Sequence, residues 1–210
     1  SNTALVNVIS PSGLNLTDDS QDGLDPDLDN DGDPTNNNDP TVITFTQNPI
    51  IGLAKNLTLP IVNNSDSSYN VTYEFFIENK GDVPIYNLQL LDDFASTFFY
   101  TISYEILSIN SVDFSINSNY DGNTDVNMLT GLDTLSPMQN GSVSITLKVI
   151  PGTILGPFNN TATVSGVSPA NQTITDISQN GVNPDPDMDN DPTNNSQPTP
   201  VIFTENPQLV

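Results

Sequence analysis

Residues 71–78, Val-Thr-Tyr-Glu-Phe-Phe-Ile-Glu, put Val71, Tyr73, Phe75 and Ile77 at every second position, with Thr72, Glu74, Phe76 and Glu78 between them. Successive side chains of an extended chain point to opposite faces, so an apolar period of two marks a strand with one face in a core. Val143, Ile145, Leu147 and Val149 repeat the pattern against Ser144, Thr146, Lys148 and Ile150, and Tyr86, Leu88 and Leu90 give a shorter version. Lys80-Gly81-Asp82, Asp121-Gly122-Asn123, Gln139-Asn140-Gly141 and Pro151-Gly152 supply turn residues between such runs. Only 92–99 reads as a helical turn. The expected fold is therefore all-β: seven or more short strands in a Greek-key β-sandwich rather than a barrel.

Working outward, the two ends of the chain repeat one another at an offset of 158 residues, with two small compensating gaps expected inside the aspartate run. Asn2-Thr3-Ala4 falls on Asn160-Thr161-Ala162, Ser10-Pro11 on Ser168-Pro169, Ser20-Gln21 on Ser178-Gln179 and Gly23 on Gly181. Pro34-Thr35-Asn36-Asn37 falls on Pro192-Thr193-Asn194-Asn195, Phe45-Thr46 on Phe203-Thr204 and Asn48-Pro49 on Asn206-Pro207. This predicts the last strand of a preceding repeat at 1–16, a linker at 17–40, a complete sandwich at 41–174, a second linker at 175–198 and the start of a next repeat at 199–210.

The linkers hold nine and five of the 22 aspartates. The run 25-DPDLDNDGDP-34 carries Asp25, Asp27, Asp29, Asp31 and Asp33, one carboxylate at every second residue. So dense a run is either solvated as an acidic tether or holds a hard cation, and Ca²⁺ takes roughly 6–8 oxygens. Asp27, Asp29, Asp31 and Gly32 match ligand positions 1, 3, 5 and the glycine at 6 of a Ca²⁺ loop. Position 12 is Asn38 rather than Glu, and Pro26 and Pro34 forbid flanking helices, so this is not an EF-hand. Asp18, Asp22 and Asp39 are the further candidates. The second linker offers Asp185, Asp187, Asp189 and Asp191, with Asp176 upstream, but has no glycine at the equivalent of Gly32.

Composition narrows the function classes. Three Lys, no Arg, no His and no Cys leave a formal net charge of −23. Such a polyanion does not neutralise phosphates, so nucleic acid and anionic bilayers are not its partners. No apolar run approaches the roughly 20 residues that span a membrane, and no signal peptide is expected within 1–210. Catalysis is poorly supplied: a Ser or Thr nucleophile would depend on one of Lys55, Lys80 or Lys148, which are far apart in sequence. Asp92-Asp93 imitates a glycosidase pair but reads as a strand end, since adjacent strand residues face opposite ways. Phe98, Phe99, Tyr100 and Tyr104 read as core packing, with a sugar-stacking platform as the alternative.

The stretch from Val71-Thr72-Tyr73 through Asn79-Lys80-Gly81-Asp82-Val83-Pro84 to Leu90-Leu91-Asp92-Asp93-Phe94, with Asn160-Thr161-Ala162-Thr163-Val164, resembles a known bacterial repeat. It is the Ig-like conserved repeat known as domain of unknown function eleven, found in tandem in very long surface proteins, and the likeness covers about residues 45–168. Where that family has an acidic Thr-Asp-Thr at a strand end, this chain has Leu91-Asp92-Asp93 followed by an aromatic-rich insertion. Domains of this kind joined by Asp-Pro-Asp linkers also resemble surface adhesins of gliding Bacteroidetes. The resemblance implies an Ig-like sandwich, an extracellular location on the bacterial cell surface, and a role as a structural repeat in adhesion or gliding motility. The implied partners are neighbouring repeats of the same chain. A module binding an extracellular glycan or protein is the alternative.

Overall fold

The computed structural model describes residues 1–205. The Asn206-Pro207 match and the remainder of the expected 199–210 segment lie outside the described residues. The chain divides into two units, 1–46 and 47–210. In the first, β1 (Leu5–Ile9) and β2 (Asn15–Asp19) form an antiparallel hairpin with Leu5 opposite Asp19. A 3₁₀ turn follows at Pro34–Asn36, and Thr41 bridges back to Asn2.

The second unit contains β3 (Ile51–Asn63), β4 (Tyr69–Asn79), β5 (Ile85–Asp92), the one-turn helix α1 (Phe94–Thr97), β6 (Ser103–Asn110) and β7 (Asp133–Leu135). It continues with β8 (Asn140–Ile150), β9 (Phe158–Asn160), β10 (Ala162–Val167), β11 (Thr173–Ile177), β12 (Gln179–Asn180) and β13 (Thr199–Val201). One sheet runs β12-β3-β4-β8-β6 and the other β11-β10-β5-β7, while β13 pairs with β9. The architecture is nearly all-β and sandwich-like. Among the described residues no helix is long and apolar enough to cross a membrane.

The period-two reading holds residue by residue in the two longest matches. Val71, Tyr73, Phe75 and Ile77 of β4 are buried, as are Val143, Ile145, Leu147 and Val149 of β8, and the residues between them are half-buried. They meet Leu88, Leu90 and Val164 of the other sheet in one core. The shorter match is corrected at Tyr86, which is exposed while Ile85 is buried. Asn87 has φ 54 and the β5–β7 register shifts between Ile85 and Leu88, so a bulge changes the face presented by the chain. The turn expected at 139–141 lies earlier: Gln139 donates its N–H to the Ser136 carbonyl, and Asn140 already opens β8.

Gly81 is fixed by space. A Cβ there would stand 2.5 Å from the Asn48 carbonyl oxygen and 2.6 Å from the Ile50 nitrogen, both backbone atoms that cannot move aside. The helical turn expected over 92–99 is α1, with the Asp93 carboxylate accepting the Ser96 N–H at 2.9 Å. Asp92 ends β5 and Asp93 caps α1, in keeping with a strand end.

The segment after the second acidic stretch, read from sequence as opening a further repeat, pairs with β9 and buries Val201 and Phe203 in this unit's core. The acidic stretch 175–198 thus leaves and re-enters a single unit: Gln179 and Asn180 lie parallel to Ala54 and Lys55, and Thr199 lies opposite Asn160.

Candidate metal centres

The aspartate spacing has a local cause. Asp25 accepts the Asp27 N–H at 3.1 Å, Asp31 accepts the Asp33 N–H at 2.7 Å, and Asp33 accepts the Thr35 N–H at 3.1 Å. Each carboxylate thus closes a turn over the amide two residues on, a conformation that Asp favours over Glu. Asp33 also accepts from Thr35 Oγ1 at 2.6 Å and caps the 3₁₀ turn. Left-handed backbone at Asn30 (φ 56) and Gly32 (φ 89) curls the chain. The Gly32 N–H then donates to Asp27 Oδ2 at 3.0 Å.

The curl brings together one carboxylate oxygen each from Asp27, Asp29 and Asp31, all within 4.8 Å of one another. The other candidates fall outside this cluster. Asp25 and Asp33 are committed to the turns above. Asp22 is exposed and is held through its backbone, its N–H donating to the Asp39 carbonyl at 2.8 Å, while the Asp39 N–H goes to Gln21 Oε1 at 2.9 Å. Asp18 lies outside the triad, but its Oδ1 is buried with no hydrogen-bond partner, and so is Oδ1 of Asp27.

The second linker repeats the construction at a constant offset of 158, and the two gaps expected in the aspartate run are not needed. Asn190 donates to Asp185 Oδ2 at 3.1 Å, Asp191 to Asp189 Oδ1 at 2.8 Å and Thr193 to Asp191 Oδ1 at 3.1 Å. Asn194 and Asn195 reach Asp189 and Asp187 as Asn36 and Asn37 reach Asp31 and Asp29. The missing glycine proves immaterial, because Asn190 takes φ 68, which Asn tolerates. Asp185, Asp187 and Asp189 form the second triad within 4.8 Å. Oδ1 of Asp185 and Oδ1 of Asp176 are again buried and without partners.

Four of the six unpartnered buried side-chain polar atoms among the described residues therefore sit at equivalent carboxylates of the two linkers. A buried acceptor without a donor carries its whole desolvation penalty, of the order of 1–3 kcal/mol or more for a charge, so such atoms need an explanation. Each triad can hold a metal ion.

The electrostatics differ by position. The Asn37 amide, followed by weaker hydrogen bonds, holds the Asp29 carboxyl below the usual carboxylate range. The Lys80 ammonium does the same for Asp185, to whose Oδ2 it is ion-paired. Asp176 goes the other way: burial pushes it up to about 7, against the opposing Leu53 N–H bond of 2.7 Å, and Asp191 adds to the rise. Lys80 was legible only as a turn residue, because its partner lies 105 residues on.

The aromatic cluster divides. Phe98 is buried against Phe94, Tyr104 and Phe158, as expected of core, whereas Phe99 and Tyr100 are exposed and meet edge to face at 5.2 Å. No protein-family model matches this chain, and no curated protein matches it.

Proposed function

We propose that this chain is a structural repeat of a bacterial cell-surface adhesin, a spacer whose acidic linkers bind Ca²⁺, and that it works outside the cell in surface adhesion or gliding motility. The observation that carries the reading is the duplicated triad with unpartnered buried oxygens at equivalent positions, 158 residues apart. A solvated tether has no use for turns that aim carboxylates at one point.

The donor set favours Ca²⁺ among metals. Only oxygens are on offer, in a chain without His or Cys, which disfavours Zn²⁺ and Cu²⁺. Irregular carboxylate geometry suits Ca²⁺ better than Mg²⁺, which demands a near-ideal octahedron. A device of this kind suits the outside of the cell, where Ca²⁺ modules work with affinities of about 10⁻⁴–10⁻³ M.

At each site the ion offsets the repulsion within the triad and fixes the curl. In the second linker the curl is tied to the sandwich through Lys80–Asp185 and through Leu53–Asp176, so the ion clamps a long acidic loop to its own unit. The chain then leaves the unit from a fixed point rather than from a repelling tether, which stiffens a tandem array of neighbouring repeats. The tandem reading is supported by Val6, which is exposed while its counterpart Val164 is fully buried. The closing hairpin at 5–19 carries the apolar face of a sandwich.

The test is small-angle scattering on the chain in EDTA and in millimolar Ca²⁺. A longer, stiffer profile with Ca²⁺ is expected, and identical profiles would remove the stiffening role. A second reading, a module binding a glycan or protein, rests on the exposed Phe99–Tyr100 pair. Loss of binding to an immobilised polysaccharide on Phe99→Ala would favour it.

A further inference from the structure

Lys55 lies on the inward face of β3 with its side chain fully buried, and its Nζ stands 2.5 Å from Oδ2 of the equally buried Asp92. The ring centroids of Tyr73, Phe75 and Phe94 lie 4.4, 5.0 and 5.1 Å from Nζ. Asn160 on β9 is also fully buried and donates its Nδ2 to the same Asp92 oxygen at 3.2 Å. Its Oδ1 accepts from Thr97 Oγ1 at 3.1 Å. An amine, a carboxyl and a carboxamide thus converge in a chamber walled by aromatic rings. Oδ1 of Asp92 and the Tyr73 hydroxyl stand there without partners.

A buried ion pair alone is a weak source of stability, and it leaves the amide unexplained. We propose that Lys55 and Asn160 join in an intramolecular isopeptide bond, with Asp92 as the proton carrier. Both nitrogens bond to one carboxylate oxygen, so the lysine nitrogen lies within the span of two hydrogen bonds of the amide.

The chemistry balances without a co-reactant. The Nζ lone pair adds to Cγ of Asn160, whose carbonyl oxygen is polarised by the Thr97 hydroxyl. Asp92 accepts a proton from Nζ and returns one to Nδ2. The Cγ–Nδ2 bond breaks, ammonia leaves, and Nζ–Cγ remains as a secondary amide with Asp92 regenerated. Nothing is oxidised or reduced.

Burial prepares the reactants. It draws Lys55 down to about 8, against the opposing pull of Asp92, and raises Asp92. Both shifts favour moving the proton from nitrogen to carboxyl, leaving the neutral amine that a nucleophile requires. The water-poor chamber also protects the addition step from hydrolysis. The bond would tie β3 to β9 across the fold, so tension on the chain would meet a covalent link. This is independent of the metal reading.

The experiment is intact mass spectrometry of the whole chain under denaturing conditions, followed by fragment sequencing. The expected mass is about 17 Da below that of the sequence, the loss of one ammonia, with a branched fragment joining Lys55 to Asn160. Asp92→Asn and Asn160→Ala should each restore the full mass for their sequences. An unshifted mass for the unmodified chain overturns the proposal whatever the variants do. So does a loss of one water that joins Lys55 to Asp92, or an ammonia loss that maps to a succinimide at Asn140-Gly141.

Discussion

Asp187 is exposed and its Oδ1 accepts only the Asn195 amide, at 3.2 Å, so Asp187→Asn removes one of three triad charges with little change of shape. In EDTA the variant should melt with the parent. In Ca²⁺ the two should part. With a dissociation constant of about 10⁻⁴ M, 10 mM Ca²⁺ lies near 100 times Kd and stabilises the folded state by about 2.7 kcal/mol. Because the second linker is bonded to the sandwich through Asp176 and Lys80, that linkage acts on the melting of the sandwich itself. At roughly 2–4 °C per kcal/mol for a unit of this size, the parent should gain about 5–11 °C. A tenfold weaker variant keeps about half of this, since tenfold in affinity is about 1.4 kcal/mol. The assay is thermal unfolding followed by circular dichroism over a Ca²⁺ series, with Asp29→Asn as the control in the other unit. A sandwich transition that ignores Ca²⁺ in the parent, or an equal Ca²⁺ shift in Asp187→Asn, would refute the reasoning.

Gly81→Ala drives a methyl into the backbone at Asn48 and Ile50 and should lower stability by about 3 kcal/mol in urea unfolding. Phe75→Ala, at a fully buried site in β4, should cost about 3–5 kcal/mol by the same measurement. The pH dependence follows from Asp176, which titrates near 7 when folded and near 3.9 when unfolded. The native state then holds the extra proton between these values, so in EDTA stability falls as pH rises from 5 to 8. Ca²⁺ and Asp176→Asn should each flatten that slope in melts at pH 5, 6, 7 and 8, and an unchanged slope in both would show that Asp176 does not set it.

Much of the fold was readable because the signals are local. β4 and β8 declare themselves by alternation, and the acidic curl by Asp25, Asp31 and Asp33, which each close a turn over the next amide but one. The repeat carried further than expected: gaps seemed necessary only because Asp25 falls on Asn183 and Gly32 on Asn190, and both asparagines reproduce the hydrogen bonds of their counterparts. Tyr86 misled because a bulge at Asn87 breaks the period where composition is silent.

The buried cluster of Lys55, Asp92 and Asn160 was harder to read. Ile51, Leu53, Lys55 and Leu57 alternate, which puts Lys55 on the core face, but a lysine there reads as solvent-facing by habit. Its partners lie 37 and more residues away, and no local pattern announces them. Among the proposed ligands, Asp25, Asp33 and Asp191 are spent on turns, and Asp18, Asp22, Asp39 and Asp176 lie outside the triads, which spacing alone does not reveal.

Calorimetric titration of the chain with Ca²⁺ after EDTA treatment, at pH 7.5 and low salt, tests the metal reading most directly. The account expects saturable binding near 10⁻⁴ M at two sites, reduced to one by Asp27→Asn and to one by Asp185→Asn. No saturable heat, or binding unchanged in both variants, would contradict it and return the linkers to solvated tethers.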